Sequence, residues 1–465
     1  MSKLPNGWTR AFIKELAGTT GLFVDGDWVE SKDQDPKGNI RLLQLADVGD
    51  GTFLNKSDRW INEDAFLRLR CTELATGDVL IARMPDPLGR ACLMPTLEQH
   101  SVTVVDVVAL RVDSENVDNR WVMHTINSPQ IRAKIAAQSS GTTRRRISRG
   151  RLGEMEILLP PKAEQTRIAD QLDTLLARVQ ACNDRIDAIP PLLKRFRQAI
   201  LAAATSVISS GSGSAKPLRE VLLVVRTGPF GSALHKSDYV ANGVPVINPM
   251  HIRGSRLIAD PKMTVSDSTA NRLSEFRLKT GDVIIGRRGE MGRCAVVTEQ
   301  EDGWLCGTGS MILRPAGILN PRYLQVFLSS PSVVSTLQGA SVGSTMANLN
   351  QSILLSLEIV LHNMDTQLEI VRRTDALTVF ADRIEARYAA ARAQAQRLTP
   401  LLLAKAFRGE LVPQDPNDEP ACALLERIAA QRAKPSEPKL RKPRSPRASP
   451  RPQGDRRHDQ KPSRR

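Results

Sequence analysis

Arg144, Arg145 and Arg146, followed by Arg149 and Arg151, stand beside Thr142, Thr143 and Ser148. Guanidinium groups next to hydroxyls suit phosphate oxygens and base edges, because arginine grips both through paired N–H bonds. A second basic set lies in the other half of the chain. Arg287, Arg288 and Arg293 surround a glycine-rich turn, while His235, Lys236, Tyr239, His251, Arg253 and Arg256 flank an expected strand. Ser344 and Thr345 answer Thr142 and Thr143, and Asn348 and Asn350 fall where the first half has its arginines. A carboxamide can pair with adenine through two hydrogen bonds. Arg83 and Arg90 complete the candidate contact set. A run of charge is most often a solvated face, so the nucleic-acid reading leans on this recurrence rather than on any one arginine.

Catalytic signatures are missing. There is no G-x-x-x-x-G-K-[ST] phosphate loop, no H-E-x-x-H and no G-x-S-x-G. Asn248-Pro249-Met250 approaches the Asn-Pro-Pro-aromatic motif of adenine methyltransferases but lacks its second proline and its aromatic. Gly228-Pro229-Phe230-Gly231 opens no expected helix, which makes it weak as a cofactor loop. The six histidines are scattered and the six cysteines form no C-x-x-C pair. They read as reduced thiols, with neither a metal centre nor a disulfide frame. The chain by itself is expected not to be an enzyme and to bind no cofactor.

The elements that must hold the basic loops are two long helices and two globular domains. Ile168, Leu172, Leu175, Val179, Cys182, Ile186, Ile189, Leu193, Phe196 and Ile200 step by four and three without a slip. That heptad spacing puts one apolar seam along a helix and calls for a partner. The same register recurs 202 residues later at Ile370, Leu377, Ile384, Leu398 and Leu402, with alanines at several positions between them. Asn363 is placed to cap the second helix, and Gly409 and Pro413 to close it. Pro190-Pro191 and Pro400 should each interrupt a helix by removing a hydrogen bond. An antiparallel pair of about 40-residue helices would make a rod of roughly 60 Å. A rod of fixed length between two similar domains would act as a measure.

The domains repeat as well. Thr76-Gly77-Asp78-Val79 is answered by Thr280-Gly281-Asp282-Val283, Gly89-Arg90 by Gly292-Arg293, and Ser128-Pro129 by Ser330-Pro331. The drift in offset is what small loop deletions produce. Strands are expected over 39–46, after the Thr-Gly-Asp turns, over Val102–Leu110 and over Glu156–Leu159. The resulting fold class is α+β: two similar mixed α/β domains separated by two long antiparallel helices forming an intramolecular coiled coil, with a pseudo-two-fold repeat. The expected boundaries are 1–159, helical spacer 160–208, flexible linker 209–216, second domain 217–362, helical spacer 363–412 and a basic disordered tail 413–465.

Composition fits a soluble protein, with 41% hydrophobic residues, 25% charged residues and a net charge of +15. No apolar run approaches the about 18 residues of a membrane span, and the N-terminus lacks an apolar signal region. A cytoplasmic location is expected. Residues 434–465 hold twelve Lys/Arg against Glu437, Asp455 and Asp459, a net charge of +9. This segment reads equally as a solvated extension or as a non-specific nucleic-acid arm.

Several stretches together resemble the specificity subunit of type I restriction–modification systems. They are Gly7-Trp8, residues 25–32 (Asp25-Gly26-Asp27-Trp28 onward), 40–49, 228–239 (Gly228-Pro229-Phe230-Gly231 onward) and the Thr-Gly-Asp-Val turns. The most specific are Leu159-Pro160-Pro161-Lys162-Ala163-Glu164-Gln165 and residues 189–197. The resemblance runs from residue 1 to about 412. It implies two target-recognition domains, each reading half of a bipartite asymmetric site on double-stranded DNA. Also implied are two methylation subunits docked on the helices and two restriction subunits. S-adenosylmethionine would belong to the methylation subunit, which makes N6-methyladenine, and ATP and magnesium to the restriction subunit. The basic tail and the alanine-rich second helix depart from the family plan. Two other readings stay open, a coiled-coil scaffold binding proteins only and a self-contained methyltransferase.

Overall fold

The computed structural model describes residues 4–18, 21–141, 144–210, 213–340 and 349–433. The chain forms two compact units, residues 1–179 with 397–465, and residues 180–396. Thr142, Thr143, Ser344, Thr345 and Asn348 lie outside the described residues, as does the basic segment 434–465. Among the described residues no helix is long and apolar enough to cross a membrane.

The first unit opens with β1 (Thr9–Phe12), β2 (Leu22–Asp25), β3 (Ile40–Leu43), β4 (Trp60–Ile61) and α1 (Glu63–Leu69). It continues with β5 (Val79–Ala82), β6 (Ala91–Leu93), β7 (Ser101–Thr103) and β8 (Val107–Arg111). Helices α2 (Asn119–Asn127), α3 (Pro129–Gln138) and α4 (Arg149–Gly153) precede β9 (Glu156–Leu159) and the long α5 (Lys162–Asp187). One antiparallel sheet has the order β2-β8-β5-β6; β3 lies between β4 and a parallel β7, and β1 pairs with β9. Every residue of β5 is buried because both faces meet apolar clusters. Val79 and Ile81 join the core with α2, whereas Leu80 and Ala82 pack with Leu43 and Val107. The expected single strand over Val102–Leu110 is two. The chain turns between them, with Val107 N–H donating to Val104 C=O (2.9 Å), and β7 and β8 enter different sheets.

The second unit repeats this plan. It comprises α6 (Ile189–Ser210), β10 (Ser214–Pro217), α7 (Leu218–Val221), β11 (Leu222–Thr227), β12 (Tyr239–Val240) and β13 (Val244–Ile247). Then come β14 (Ile252–Arg253), β15 (Arg256–Leu257), β16 (Thr264–Val265), α8 (Asp267–Arg272), β17 (Val283–Gly286), β18 (Cys294–Val296), β19 (Leu305–Cys306) and β20 (Ser310–Pro315). It closes with α9 (Pro321–Leu328), α10 (Pro331–Ala340), α11 (Gln351–Leu355), β21 (Glu358–Leu361) and α12 (Met364–Ala406). The sheet β11-β20-β17-β18 matches β2-β8-β5-β6, and the pair β10-β21 matches β1-β9. The buried Gln165 and Gln367 do the same job in each unit. Each side-chain carbonyl accepts the backbone N–H at the N-cap of an earlier domain helix, Asp118 before α2 (2.9 Å) and Asn320 before α9 (2.8 Å).

The first long helix is interrupted at Ala188, as the Pro190-Pro191 pair leads one to expect, and both prolines sit in the opening turn of α6, where a missing N–H costs nothing. The expectation for Pro400 fails, because α12 runs unbroken through it. In the second unit α6 and α12 are antiparallel, joined by Arg197–Asp382 (2.6 Å) and a Phe196–Phe380 edge contact, while Arg392 reaches Asp187 at the end of α5 (2.8 Å). On the repeated seam register, Thr374, Ala381 and Ala395 are buried as expected, whereas Leu377 and Leu398 are exposed. Asn363 caps α12 by accepting from Thr366 N–H (2.8 Å), and Gly409 (φ 71°) ends it in the left-handed region.

Two boundaries move. The span 209–216, expected as a flexible linker, holds the end of α6 and the start of β10, which pairs with β21. The tail does not begin at 413. Residues Ala421–Ala433 form α13, whose Ala421, Leu424 and Ile428 are buried in the first unit's core with Trp8 and Leu16. Ala421 N–H donates to Gly7 C=O (2.8 Å), and Arg167 binds Asp418 (2.6 Å). Their apolar spacing of three and four is a helix signal that the surrounding charge and proline conceal.

Candidate nucleic-acid interface

Each unit gathers three loops at one end of its four-stranded sheet. In the first unit these are the segment after β2, the β7–β8 turn and the segment before α4. Gly26 N–H donates to Val107 C=O (2.8 Å) and Asp27 N–H to Thr103 C=O (2.7 Å), which fixes the first loop on the turn. In the second unit Gly228 N–H donates to Ser310 C=O (3.0 Å) at the equivalent place. A side chain on either glycine would collide with backbone, at Val104 in one unit and Gly307 in the other.

An arginine following the central strand ties in the third loop. Arg83 Nε donates to Ile147 C=O (2.9 Å), and Ile147 N–H donates back to Arg83 C=O (3.1 Å). Arg287 Nε donates to Leu349 C=O (2.9 Å), and Leu349 N–H returns to Arg287 C=O (2.9 Å). Arg83 also pairs with Asp25. Burial draws both guanidinium groups below their ordinary pKa; Asp25 opposes this at Arg83, and the Arg288 charge adds to it at Arg287. A further crossing link is ionic in one unit, Arg149 to Asp25 (3.4 Å), and neutral in the other, Gln351 to the Thr227 hydroxyl (3.1 Å). The frame is the same while its side chains differ.

Several sequence candidates lie within this frame. Arg83 and Arg287 hold the loops together and do not project from them. Arg90 is buried, bonding the carbonyls of Val48 (2.5 Å), Pro87 (3.0 Å) and Leu45 (2.8 Å). Arg293 reaches Pro249 C=O (3.2 Å) and Glu290 (2.6 Å). His251 is buried beneath β13, with Nδ1 3.1 Å from Val246 O, and burial lowers its pKa. Tyr239 is half-buried in β12, and burial raises its pKa against a hydrogen bond with Asn248. Asn350 caps α11, accepting from Ile353 N–H (2.8 Å), as Ser148 caps α4. These residues build the frame because the short polar contacts they make are the ones the loops need to stay put.

The residues left facing solvent are fewer. Arg144 and Arg145 are exposed, with no partner among the described residues. Arg146 is partly covered, reaching Val105 C=O (3.3 Å) and Asp106 (3.3 Å), and Arg149 donates to Phe23 C=O (2.7 Å). Arg288 and Lys236 are exposed, and Arg253 is exposed with Nε on Met250 C=O (3.1 Å). The exposed arginines and lysine can bind anions along a backbone. Among the described residues no group of three or more His, Cys, Asp or Glu side chains is placed to hold a metal ion. Trp28 and Phe230, which the sequence offers only within the stretches that carry the family resemblance and not as contact candidates, rise from the first loop in each unit. Their signal was present: each follows a glycine by two residues, 202 positions apart.

Comparison with known proteins gives a consistent result. The family model for the type I restriction modification DNA specificity domain matches residues 5–190 and again residues 218–390. The chain is 29% identical over 459 residues to the specificity subunit of the type I restriction enzyme EcoBI of Escherichia coli, covering 92% of this chain and 93% of that one. It is 29% identical over 333 residues to the EcoKI specificity subunit of Escherichia coli strain K12, covering 67% and 72%. The fold is similar to a chain solved in work on complex assembly and conformational transition of the type I restriction–modification system. There the TM-score is 0.69 at 20% identity, over 88% of this chain and 100% of that chain. It is also similar to the HsdS subunit from Thermoanaerobacter tengcongensis, with a TM-score of 0.58 at 21% identity, over 88% and 99%.

Proposed function

Since the chain belongs to the type I restriction modification DNA specificity family, matched by its model in both halves, we propose that it is the subunit that selects the DNA sequence. The chain supplies recognition and is not itself the catalyst. Each unit reads one half of a bipartite asymmetric site on double-stranded DNA, and the helical stretches between them in sequence set the gap. Two methylation subunits dock on this chain and carry S-adenosylmethionine; two restriction subunits carry ATP and magnesium. The complex works in the cytoplasm. The observation that carries this reading is one loop frame built twice, by Arg83–Ile147 and Arg287–Leu349, with different solvent-facing side chains on each copy. Identical framing with divergent surfaces is what two readers of different sequences require.

On this reading Arg144 and Arg145 bind phosphates or base edges, with Arg288, Lys236 and Arg253 their counterparts in the second unit. Co-expression with the neighbouring methylation subunit, followed by mapping of N6-methyladenine in host DNA, tests the proposal. A single two-part motif is expected, and exchanging residues 1–159 for those of a relative should change one part only. Methylation indifferent to the exchange would return the chain to the scaffold reading. A second expectation concerns salt. If both arginines meet phosphates, Arg144→Ala with Arg145→Ala should reduce the slope of log K against log salt by about 2, roughly 0.9 per phosphate contact. An unchanged slope would remove them from the phosphate contacts.

A further inference from the structure

Trp28 and Phe230 are the most exposed apolar aromatics among the described residues, at 66% and 65%. They occupy one structural position. Strand pairing sets Leu22 opposite Arg111 and Val224 opposite Arg314, and counting six along each chain reaches Trp28 and Phe230. Around them the sequence differs: Asp25 against Thr227, Asp27 against Pro229, Val29 against Gly231. The aromatic ring persists where its neighbours do not.

Among the described residues no apolar cluster takes in either ring. Trp28 makes one side-chain bond, its indole N–H donating to Glu30 (3.3 Å), and Glu30 is itself paired with Lys32 (2.8 Å). The loops beneath are firmly built, because Gly26 and Gly228 lie against backbone with no space for a side chain. Beside Trp28 the same frame carries the unpartnered Arg144 and Arg145, tied in through Arg149–Asp25 and Arg146–Val105. Beside Phe230 it carries the segment entering α11, through Gln351–Thr227 and Arg287–Leu349, and Arg287 is followed in the chain by the exposed Arg288. A rigidly mounted ring next to cationic side chains is chemically matched to stacked bases flanked by phosphates.

We propose that Trp28 and Phe230 are equivalent aromatic wedges, each entering the duplex at a base step of its own half-site and stacking on the base it exposes. This rests on the DNA-reading function proposed above. The ring supplies affinity through stacking and favours the flexible pyrimidine–purine steps that open most readily. The neighbouring arginines supply the ionic part.

The test uses the full chain with its methylation subunit and fluorescent duplexes carrying the motif found by methylation mapping, with either half scrambled as controls. Trp28→Ala should weaken binding about tenfold or more when the first half-site is intact, and have little effect when it is scrambled. Phe230→Ala should do the same for the second half. The salt slope should stay unchanged, unlike that of the arginine variants, and Trp28→Phe should restore most of the affinity. A 2-aminopurine placed along the half-site should brighten at one step with wild-type protein and not with Trp28→Ala. Both alanine variants binding as wild type would overturn the wedge and leave the DNA-reading function standing. Loss of the methylation subunit with DNA binding by the chain unchanged would also overturn it, assigning the rings to a protein contact. Wild-type protein that fails to prefer the mapped motif would remove the function on which the wedge rests.

Discussion

Asp282→Ala is expected to lower the stability of the second unit by about 2–4 kcal/mol. The Asp282 side chain is 1% exposed and meets Arg314 through two bonds, 2.7 and 2.8 Å. It also accepts the Lys279 N–H (2.8 Å), closing the turn that leads into the central strand. Removal leaves that N–H and the guanidinium without their acceptor. Arg314 is 27% exposed and can recover some water, which keeps the loss below that of a fully buried pair. Asp282→Asn, retaining the turn bond, should cost less. Asp282→Leu with Arg314→Met should recover much of the loss, because an apolar pair needs no charge compensation. Asp78 and Arg111 repeat the arrangement at 2.7 and 2.8 Å, so Asp78→Ala should act alike on the first unit. Thermal unfolding followed by calorimetry checks this; an Asp282→Ala midpoint equal to wild type would show that the pair contributes little.

Ending the chain after Val412 should be more damaging than ending it after Ala433. The shorter chain loses α13, and with it the burial of Leu424 and Ile428. At about 1.5–3 kcal/mol for each large aliphatic, the loss is roughly 3–6 kcal/mol. That is a large part of the roughly 5–15 kcal/mol that holds a domain together. The first unit should therefore unfold about 10 °C lower or more, and Trp8 should become accessible to acrylamide quenching. A chain ending at Ala433 lacks only the basic segment and should melt as the full chain does. Equal midpoints for the two truncations would mean that α13 does not stabilise the first unit.

Much of this architecture was legible in the sequence because the chain states it twice. The recurrence of Gly77-Asp78 at Gly281-Asp282 marked the central strands, and Asn363 and Gly409 marked the ends of α12. The functional surface was harder to see. Arg83, Arg90, Arg287 and Arg293 have the charge of DNA contacts, but Arg83 and Arg90 are buried and all four are engaged by loop carbonyls, which no sequence pattern announces. Asn350 and Asn248 illustrate the same limit, since a carboxamide that could read a base is equally suited to a cap or a turn. Val102–Leu110 has the composition of one long strand, and its division at the Val104–Val107 turn appears only in the fold. Trp28 and Phe230 look like core residues by type; their exposure is a property of the loop frame. Leu424 and Ile428 lie in a charged stretch whose periodicity means little until Gly7 and Trp8 are seen beneath it.

The docking of α13 has a consequence for how the protein is made. The first unit needs residues from beyond position 397, with Leu403, Ala406, Leu424 and Ile428 in its core, whereas the second unit is complete within 180–396. During translation the segment synthesised first therefore cannot finish folding first. At about 5–20 residues per second, the ribosome leaves the first unit open for roughly 10–50 s while the second is made. Through that interval Trp8, Leu16 and Ile168 lack their final covering, and chaperone capture or proteolytic cleavage of the nascent chain should concentrate there.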